Sequence, residues 1–358
     1  MVVSIIGSGA VGAYLGSKLK DDVRIFEEHG KIGEPVQCSG IFTHNISEFV
    51  KLDNDFVINK IQGIKLVSPC GNFCEIDLKK ENVVVDRAKF DRYLIERAVE
   101  NGAKLHKGYR FVGLKDGKLR FSNGKVFDFD VVVGCDGPVS NVRESFFGRG
   151  AGRFWVGKQA RVKMKNEGNV AEVHFDVPGF FSWVIPENEK VVRIAVGAGR
   201  NVSVYFDKFL KKLGVKKVLD VQGGVIPRYN SGSRLWDGQR AFLVGDSGGM
   251  VKALSGGGVV PGLRGAGILA DVLNSRDSGK YGDYERRFRR SVGVGLWYNL
   301  KIREFLDKLD EKEYDEMISI LDRCEFGGFD RDNISVRDFL GFLKPELMWF
   351  GLRKMLGC

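Results

Sequence analysis

The first 27 residues constrain this chain more than any other stretch. Residues 2–6 predict a buried strand, Gly7-Ser8-Gly9-Ala10-Val11-Gly12 a tight glycine turn, and the residues to about Lys20 a helix. Residues 23–26 predict a second strand, closed by Glu27. A lone G-x-G-x-x-G says little. The same glycines between a strand and a helix, with an acid about 20 residues on, mark a dinucleotide-binding βαβ unit. Gly7, Gly9 and Gly12 let the backbone approach a pyrophosphate at the helix N-terminus, where the N–H groups, that of Val11 among them, face the anion. Glu27 is placed to accept from ribose hydroxyls.

A second glycine region lies far along the chain. A short apolar strand over residues 242–244 runs into Gly245-Asp246-Ser247-Gly248-Gly249, and Ser255-Gly256-Gly257-Gly258-Val259 opens a helix. Asp246, at a strand end, can hold a ribose or ribityl hydroxyl. Gly256, Gly257, Gly258 and Val259 present free amides to a carbonyl or an anion. A nicotinamide dinucleotide needs one such region near the N-terminus. A second one returning to the same sheet fits a longer cofactor, FAD.

Between the two regions the pattern changes period. Residues 61–79 read as a two-stranded hairpin, 83–85 as a further strand, and Asp86 as the cap of a helix from Arg87 to about Glu100. Short strands follow over 105–121, a buried strand over 128–134, and an antiparallel sheet over 153–199. A helix over 206–213 and a strand over 218–227 come next, and the chain is mostly helical after Val259. No linker separates these blocks, so the domains must interleave. The expected fold is α/β: a Rossmann-like FAD-binding domain with an interleaved antiparallel-sheet substrate domain and C-terminal helices. Residues 1–60, 80–150 and 235–275 form the first, 61–79 and 151–234 the second, and 276–358 the helical region.

Composition excludes several alternatives. Hydrophobic residues at 43% support a core, and 47 glycines without a triplet repeat exclude collagen. No run of roughly 20 uncharged apolar residues spans a membrane, and the apolar start reads as a strand, not a signal peptide, so a cytoplasmic location is expected. Six cysteines in 358 residues are not a disulfide scaffold, and Cys70 and Cys74 lack the second Cys or His pair of a zinc site. No metal is expected. The formal charge of +10 favours anionic partners, a membrane surface among them, but no nucleic-acid motif accompanies it. The segment 284–290 reads as a solvated basic helix face. Residues 339–350, with Arg353 and Lys354, suit either an interfacial helix at an anionic membrane or a helix packed on the body.

Beyond the glycine turns, Asp86-Arg87-Ala88-Lys89-Phe90-Asp91-Arg92-Tyr93-Leu94, Cys135-Asp136-Gly137 through Ser140 and Arg143, and Gly245-Asp246 resemble the p-hydroxybenzoate-hydroxylase-type flavoproteins. Two motifs narrow the resemblance to the geranylgeranyl reductase family. They are Glu34-Pro35-Val36-Gln37-Cys38-Ser39-Gly40, and Phe181-Ser182-Trp183-Val184-Ile185-Pro186 followed by Val196-Gly197-Ala198-Gly199; Gly224-Val225-Ile226-Pro227 also fits. The chain departs from that family's pattern at Ala195, Ala253 and Gly248-Gly249, which bears on the substrate more than on the flavin.

The resemblance implies roles at named positions. Val11 and Glu27 would serve the adenosine end of FAD, Arg87 the pyrophosphate or ribityl chain, Val112 the adenine, and Asp246 the middle of the cofactor. Gly258 and Val259 would face the flavin ring, with Cys38 and Ser39 near it. Asp136 is either part of that site or a turn cap. Arg87 also reads as a surface helix-start residue, and Val112 as strand core. Phe181, Trp183 and Pro186 would line a polyprenyl chain, or serve as ordinary sheet core. The implied reaction saturates geranylgeranyl double bonds of an archaeal-type ether lipid, with hydride from reduced flavin, a proton that Cys38 is a candidate to deliver, and NAD(P)H or a small electron carrier as reductant. A monooxygenase or halogenase, or a non-catalytic flavin- or lipid-binding protein, is the alternative.

Overall fold

A computed structural model describes residues 1–148, 152–166 and 168–323. The chain divides into two compact units, each assembled from separated segments.

The first unit comprises residues 1–36, 86–154 and 225–300. Its centre is a five-stranded sheet in the order Ala241–Leu243, Val131–Gly134, Val2–Ile6, Asp22–Glu27, Lys104–Lys107, parallel throughout. Parallel strands carry helices on their faces and so read as continuous apolar runs; Val131–Gly134 is buried along its whole length. Helices Ala10–Lys18, Arg87–Glu100 and Val259–Asn274 belong to this unit. A small sheet of Phe111–Lys115, Lys118–Phe121 and Val126–Phe127 joins the same core, where Phe26 stacks on Phe121 with centroids 4.5 Å apart.

The second unit comprises, among the described residues, 37–85, 155–224 and 301–323, apart from the undescribed residue 167. Its eight-stranded sheet runs Val218–Pro227, Phe154–Lys163, Val191–Ala198, Ser182–Asn188, Val170–His174, Val57–Val67, Phe73–Val85, Ile41–Phe42. The helix Val202–Lys212 covers one face, placing Phe206 and Phe209 against Val192, Ile194 and Val196. The strand Val191–Ala198 is almost wholly buried on both faces.

Several boundaries differ from the expected ones. The hairpin expected at 61–79 is two long strands, Val57–Val67 and Phe73–Val85, that absorb the separate strand expected at 83–85. Bulges interrupt their register after Val57 and after Ile61, and such breaks fragment the sequence pattern that marks a long strand. In consequence residues 37–60 and 80–85, expected in the dinucleotide domain, lie in the second unit. The sheet expected to be antiparallel contains one parallel pair, Val170–His174 beside Val57–Val67. The described helices run to Arg323, so the segment 339–350 with Arg353 and Lys354 lies outside the described residues. Among the described residues no helix is long and apolar enough to cross a membrane.

Candidate flavin and substrate site

In the first unit the glycine turn has three different reasons for its three glycines. Gly7 has φ +101° and a Cβ there would meet the backbone carbonyl of Cys135. A Cβ on Gly12 would meet the carbonyl of Gly7. Gly9 has nothing within 4 Å of where a Cβ would stand. The first two glycines are demanded by the fold itself, whereas Gly9 leaves open room directly before the helix Ala10–Lys18. That helix has no side-chain N-cap and no acid in its first turn. Its first amides, that of Val11 included, have no intrahelical acceptor.

Glu27 ends the second strand beside this turn. Its carboxylate accepts from the Ser8 N–H (3.0 Å) and Ser8 hydroxyl (2.7 Å) on one oxygen, and from the His29 N–H (2.9 Å) on the other, which also lies 2.8 Å from the His29 ring. Burial pushes its pKa up, but these bonds outweigh burial and hold the carboxyl below its usual range.

The second glycine region packs onto the first. Val11 lies against Gly245, and a Cβ on Gly262 would collide with it at 2.6 Å. Asp246 sits over Gly258, where a Cβ would approach the Asp246 carboxylate to 2.7 Å, so this glycine is needed for the acid to reach its place. Burial pushes the Asp246 carboxyl up to about 6, opposed by the charges of Arg87 and Arg143. It accepts no hydrogen bond from the described residues. Arg87 is itself held by Asp91, with contacts of 3.0–3.3 Å. Val259 begins a 16-residue helix whose N-cap, Gly258, supplies no side-chain bond. Gly256 takes the left-handed conformation with φ +70°, and Gly257 packs against Lys252. Val112 is 37% exposed and sits where the register of its strand pair shifts between Phe111 and Gly113, not in strand core. Asp136 spends both carboxylate oxygens inside the fold, accepting from the Ser140 hydroxyl (2.6 Å) and the Val142 N–H (3.1 Å). Through Ser140, the N-cap, it shapes the start of helix Asn141–Phe147.

In the second unit, Cys38 is half-buried, and its Sγ accepts from the Gly40 N–H at 3.4 Å. The Ser39 hydroxyl accepts from the Trp183 indole N–H (2.8 Å) and donates to Gln159 Oε1 (2.5 Å). Trp183 therefore has a polar task in addition to packing near Ile61, Val84, Ala171 and Ile185. Phe181 stacks on Phe180 at 4.2 Å, Phe180 stacks on Trp155 at 4.4 Å, and Gly197 is bare because the Phe180 ring lies where its Cβ would be. Pro186 does not join Phe181 and Trp183. It stands an odd number of residues from Trp183 in the strand Ser182–Asn188, so the pleat sends it to the opposite face.

Sequence reasoning passed over Ser8, His29, Asp91, Gln159 and Arg143 as site residues. Asp91 was legible as the i+4 partner of Arg87 on one helix face. Gln159 had no local signal, because its partner is 120 residues away.

No family model matches the chain. It is 27% identical to the digeranylgeranylglycerophospholipid reductase of Methanocaldococcus jannaschii, over 97% of this chain and 96% of that one. It is also 27% identical to digeranylgeranylglycerophospholipid reductase 2 of Methanothermobacter thermautotrophicus, over 96% of each. A geranylgeranyl bacteriochlorophyll reductase-like protein of Thermoplasma acidophilum superposes with TM-score 0.82, 20% identity and 96% coverage of both chains. A probable FAD-dependent monooxygenase of Pseudomonas aeruginosa superposes with TM-score 0.68 and 15% identity, over 89% of this chain and 99% of that one. The chain thus has the fold of the flavoprotein oxidoreductases and monooxygenases, and along nearly its whole length its sequence resembles the digeranylgeranylglycerophospholipid reductases.

Proposed function

We propose that this protein is an FAD-dependent reductase that saturates double bonds of geranylgeranyl chains on an archaeal-type ether lipid precursor. One observation carries the reading beyond the shared fold. The two motifs that single out the reductase group, Glu34–Gly40 and Phe181–Pro186, meet through the 2.8 Å bond from the Trp183 indole to the Ser39 hydroxyl. Relatives named for that activity match over nearly the whole chain.

The residues fit FAD. The open room at Gly9, the first-turn amides without an intrahelical acceptor, the Asp246 carboxylate without a hydrogen bond from the described residues and the helix at Val259 without a side-chain cap suit a dinucleotide with a long middle section. In this reading Val11 and Glu27 would hold the adenosine end, Arg87 the pyrophosphate or ribityl chain, Val112 the adenine through its off-register backbone, and Asp246 the middle of the cofactor. The amides at Gly258 and Val259 face the ring.

Bound and reduced, FAD supplies the hydride. An isolated alkene is a poor electrophile, so a proton must reach the second carbon. We assign Cys38 Sγ as its donor, held in place by the Gly40 N–H. Phe181 and the body of Trp183 give the chain an apolar bed and keep water from the reacting carbons. NAD(P)H or a small electron carrier is the proposed reductant, and the net charge of +10 supports peripheral contact with an anionic membrane.

Anaerobic incubation of the dithionite-reduced protein with a geranylgeranyl lipid, read by mass spectrometry, tests the reading. A gain of about two mass units per double bond is expected. A gain of about 16 in the presence of oxygen would identify the monooxygenase alternative, and an unchanged lipid under both regimes leaves only a binding protein. In single turnover, Cys38→Ala should keep FAD bound and slow flavin oxidation by substrate, with Cys38→Ser intermediate. Unchanged rates in both variants would remove Cys38 as the donor.

A further inference from the structure

A buried arginine sits behind the cysteine loop. Arg193 is 7% exposed, in the strand whose neighbours are buried on both faces. Its Nε donates to Glu187 Oε1 at 2.7 Å, and its Nη1 donates to the backbone carbonyls of Ser39 and, at 3.2 Å, Val85. Glu187 is gripped from the other side by Arg161 through two 2.8 Å bonds, and Arg161 also reaches Asp220 at 3.1 Å. Burial pushes the Glu187 carboxyl up, but the two arginines outweigh burial and hold it below its usual range.

Arg161 and Arg193 are directly paired across neighbouring strands, a like-charge pairing that costs energy unless an acid separates them. Buried ion clusters are commonly matched or bettered by apolar residues of the same volume. What the cluster does achieve is local. The Ser39 carbonyl is taken by Arg193, the Gly40 carbonyl by the Val85 N–H (2.8 Å), and the Ser39 hydroxyl by Trp183 and Gln159. The Gln37 backbone packs so closely on Gly224 that a Cβ there would come within 2.8 Å of its carbonyl. The groups flanking Cys38 are therefore tied to the sheet.

We propose that Arg193, locked by Glu187 and Arg161, is the positioning residue that sets where the Cys38 thiol stands. The inference rests on the reading of Cys38 as proton donor only for its effect on turnover, not for its effect on the thiol. Holoenzyme carrying Arg193→Met, Arg193→Lys or Glu187→Gln is compared with wild type in two ways. One is the rate of Cys38 alkylation by monobromobimane, read at the Cys38 peptide by mass spectrometry. The other is turnover of geranylgeranyl lipid. Arg193→Met should change the alkylation rate about tenfold or more and lower kcat by about 10- to 100-fold with KM little altered, since misplacing a reacting group by about 1 Å costs that much. Arg193→Lys, which keeps the charge and one carbonyl bond, should fall between. Should Arg193→Met fail to fold, Glu187→Gln carries the same readouts, with a smaller change expected. A lowered melting temperature with alkylation and kcat both within twofold of wild type would overturn the proposal. If wild type reduces no prenyl lipid, the alkylation comparison still decides the role of Arg193, and only the functional reading falls.

Discussion

The two units differ in how many of their polar groups are left without a partner, although Glu27, Asp136 and Arg87 in the first are engaged. Around the glycine turns of the first, groups are left on offer: open room at Gly9, an Asp246 carboxylate with no hydrogen bond from the described residues, and helix starts without side-chain caps. Around Cys38 in the second, they are engaged: the Ser39 hydroxyl and carbonyl, the Gly40 carbonyl and the Glu187 carboxylate all have partners within the unit. Free groups such as the Asp246 carboxylate can take a polar ligand without loss of a bond inside the fold, whereas Glu27, already bonded to Ser8 and His29, would have to add the ligand to the partners it has. The engaged groups around Cys38 instead tie its loop to the sheet.

The largest test of this contrast lies within the glycine turn. Gly12→Val should destabilise the apoprotein by about 3 kcal/mol or more and abolish FAD binding, because its Cβ has no room beside the Gly7 carbonyl. Gly9→Ala should leave apoprotein stability within about 1 kcal/mol, yet weaken FAD binding at least about tenfold, since the methyl projects only into ligand space. Chemical denaturation of the apoproteins and flavin-fluorescence titration read the two effects. Equal destabilisation by both variants would end the distinction between glycines needed by the fold and the glycine needed by the ligand.

Glu27→Ala should weaken FAD binding by about 1–3 kcal/mol. The same residue predicts an acid limb for the apoprotein. Its folded pKa lies below the unfolded one, so its contribution is present above the unfolded value, about 4, and is lost as pH falls through the folded one. Glu27→Ala should flatten that limb in denaturation measured between pH 5 and pH 2.

Asp246 predicts the opposite slope. Its folded pKa is raised to about 6, so the folded state holds a proton that the unfolded state has released. Apoprotein stability from this group is greatest below about pH 4 and falls as pH rises through about 6. Asp246→Asn should remove this slope, about 3 kcal/mol for a shift from the usual carboxylate value to about 6, and weaken FAD binding as well. An unchanged slope would mean that the carboxylate already has a partner, which removes one half of the contrast.

The smallest effect belongs to the sheet unit. Trp183→Phe keeps the aromatic body and deletes the bond to Ser39, costing about 1 kcal/mol of stability. It should also raise the alkylation rate of Cys38 modestly, because Gln159 and Arg193 still hold the loop.

Much of the dinucleotide unit was legible in the sequence because its determinants are consecutive. A strand, a turn whose glycines are each excluded from carrying a Cβ or left open for a ligand, and a helix lie within 18 residues, and Glu27 follows on the adjacent strand. The capping alternative for Asp136 was also visible in Asp136-Gly137 and Ser140, although only the folded chain shows both carboxylate oxygens in use. The limits of the long hairpin were not legible, because its bulges break the alternation that identifies a strand. Pro186 was grouped with Trp183 by proximity in sequence, and the pleat separated them.

By itself, then, the sequence determined the α/β class and the two glycine regions, since these depend on local backbone geometry and on residues a few positions apart. Only the tertiary structure decided what surrounds Cys38. Ser39 meets Gln159 and Trp183 across separations of 120 and 144 residues, and Arg193 reaches the same loop across 154. The partners of a side chain buried in a sheet are set by strand order and register, and those follow from which apolar faces the whole chain can bury together.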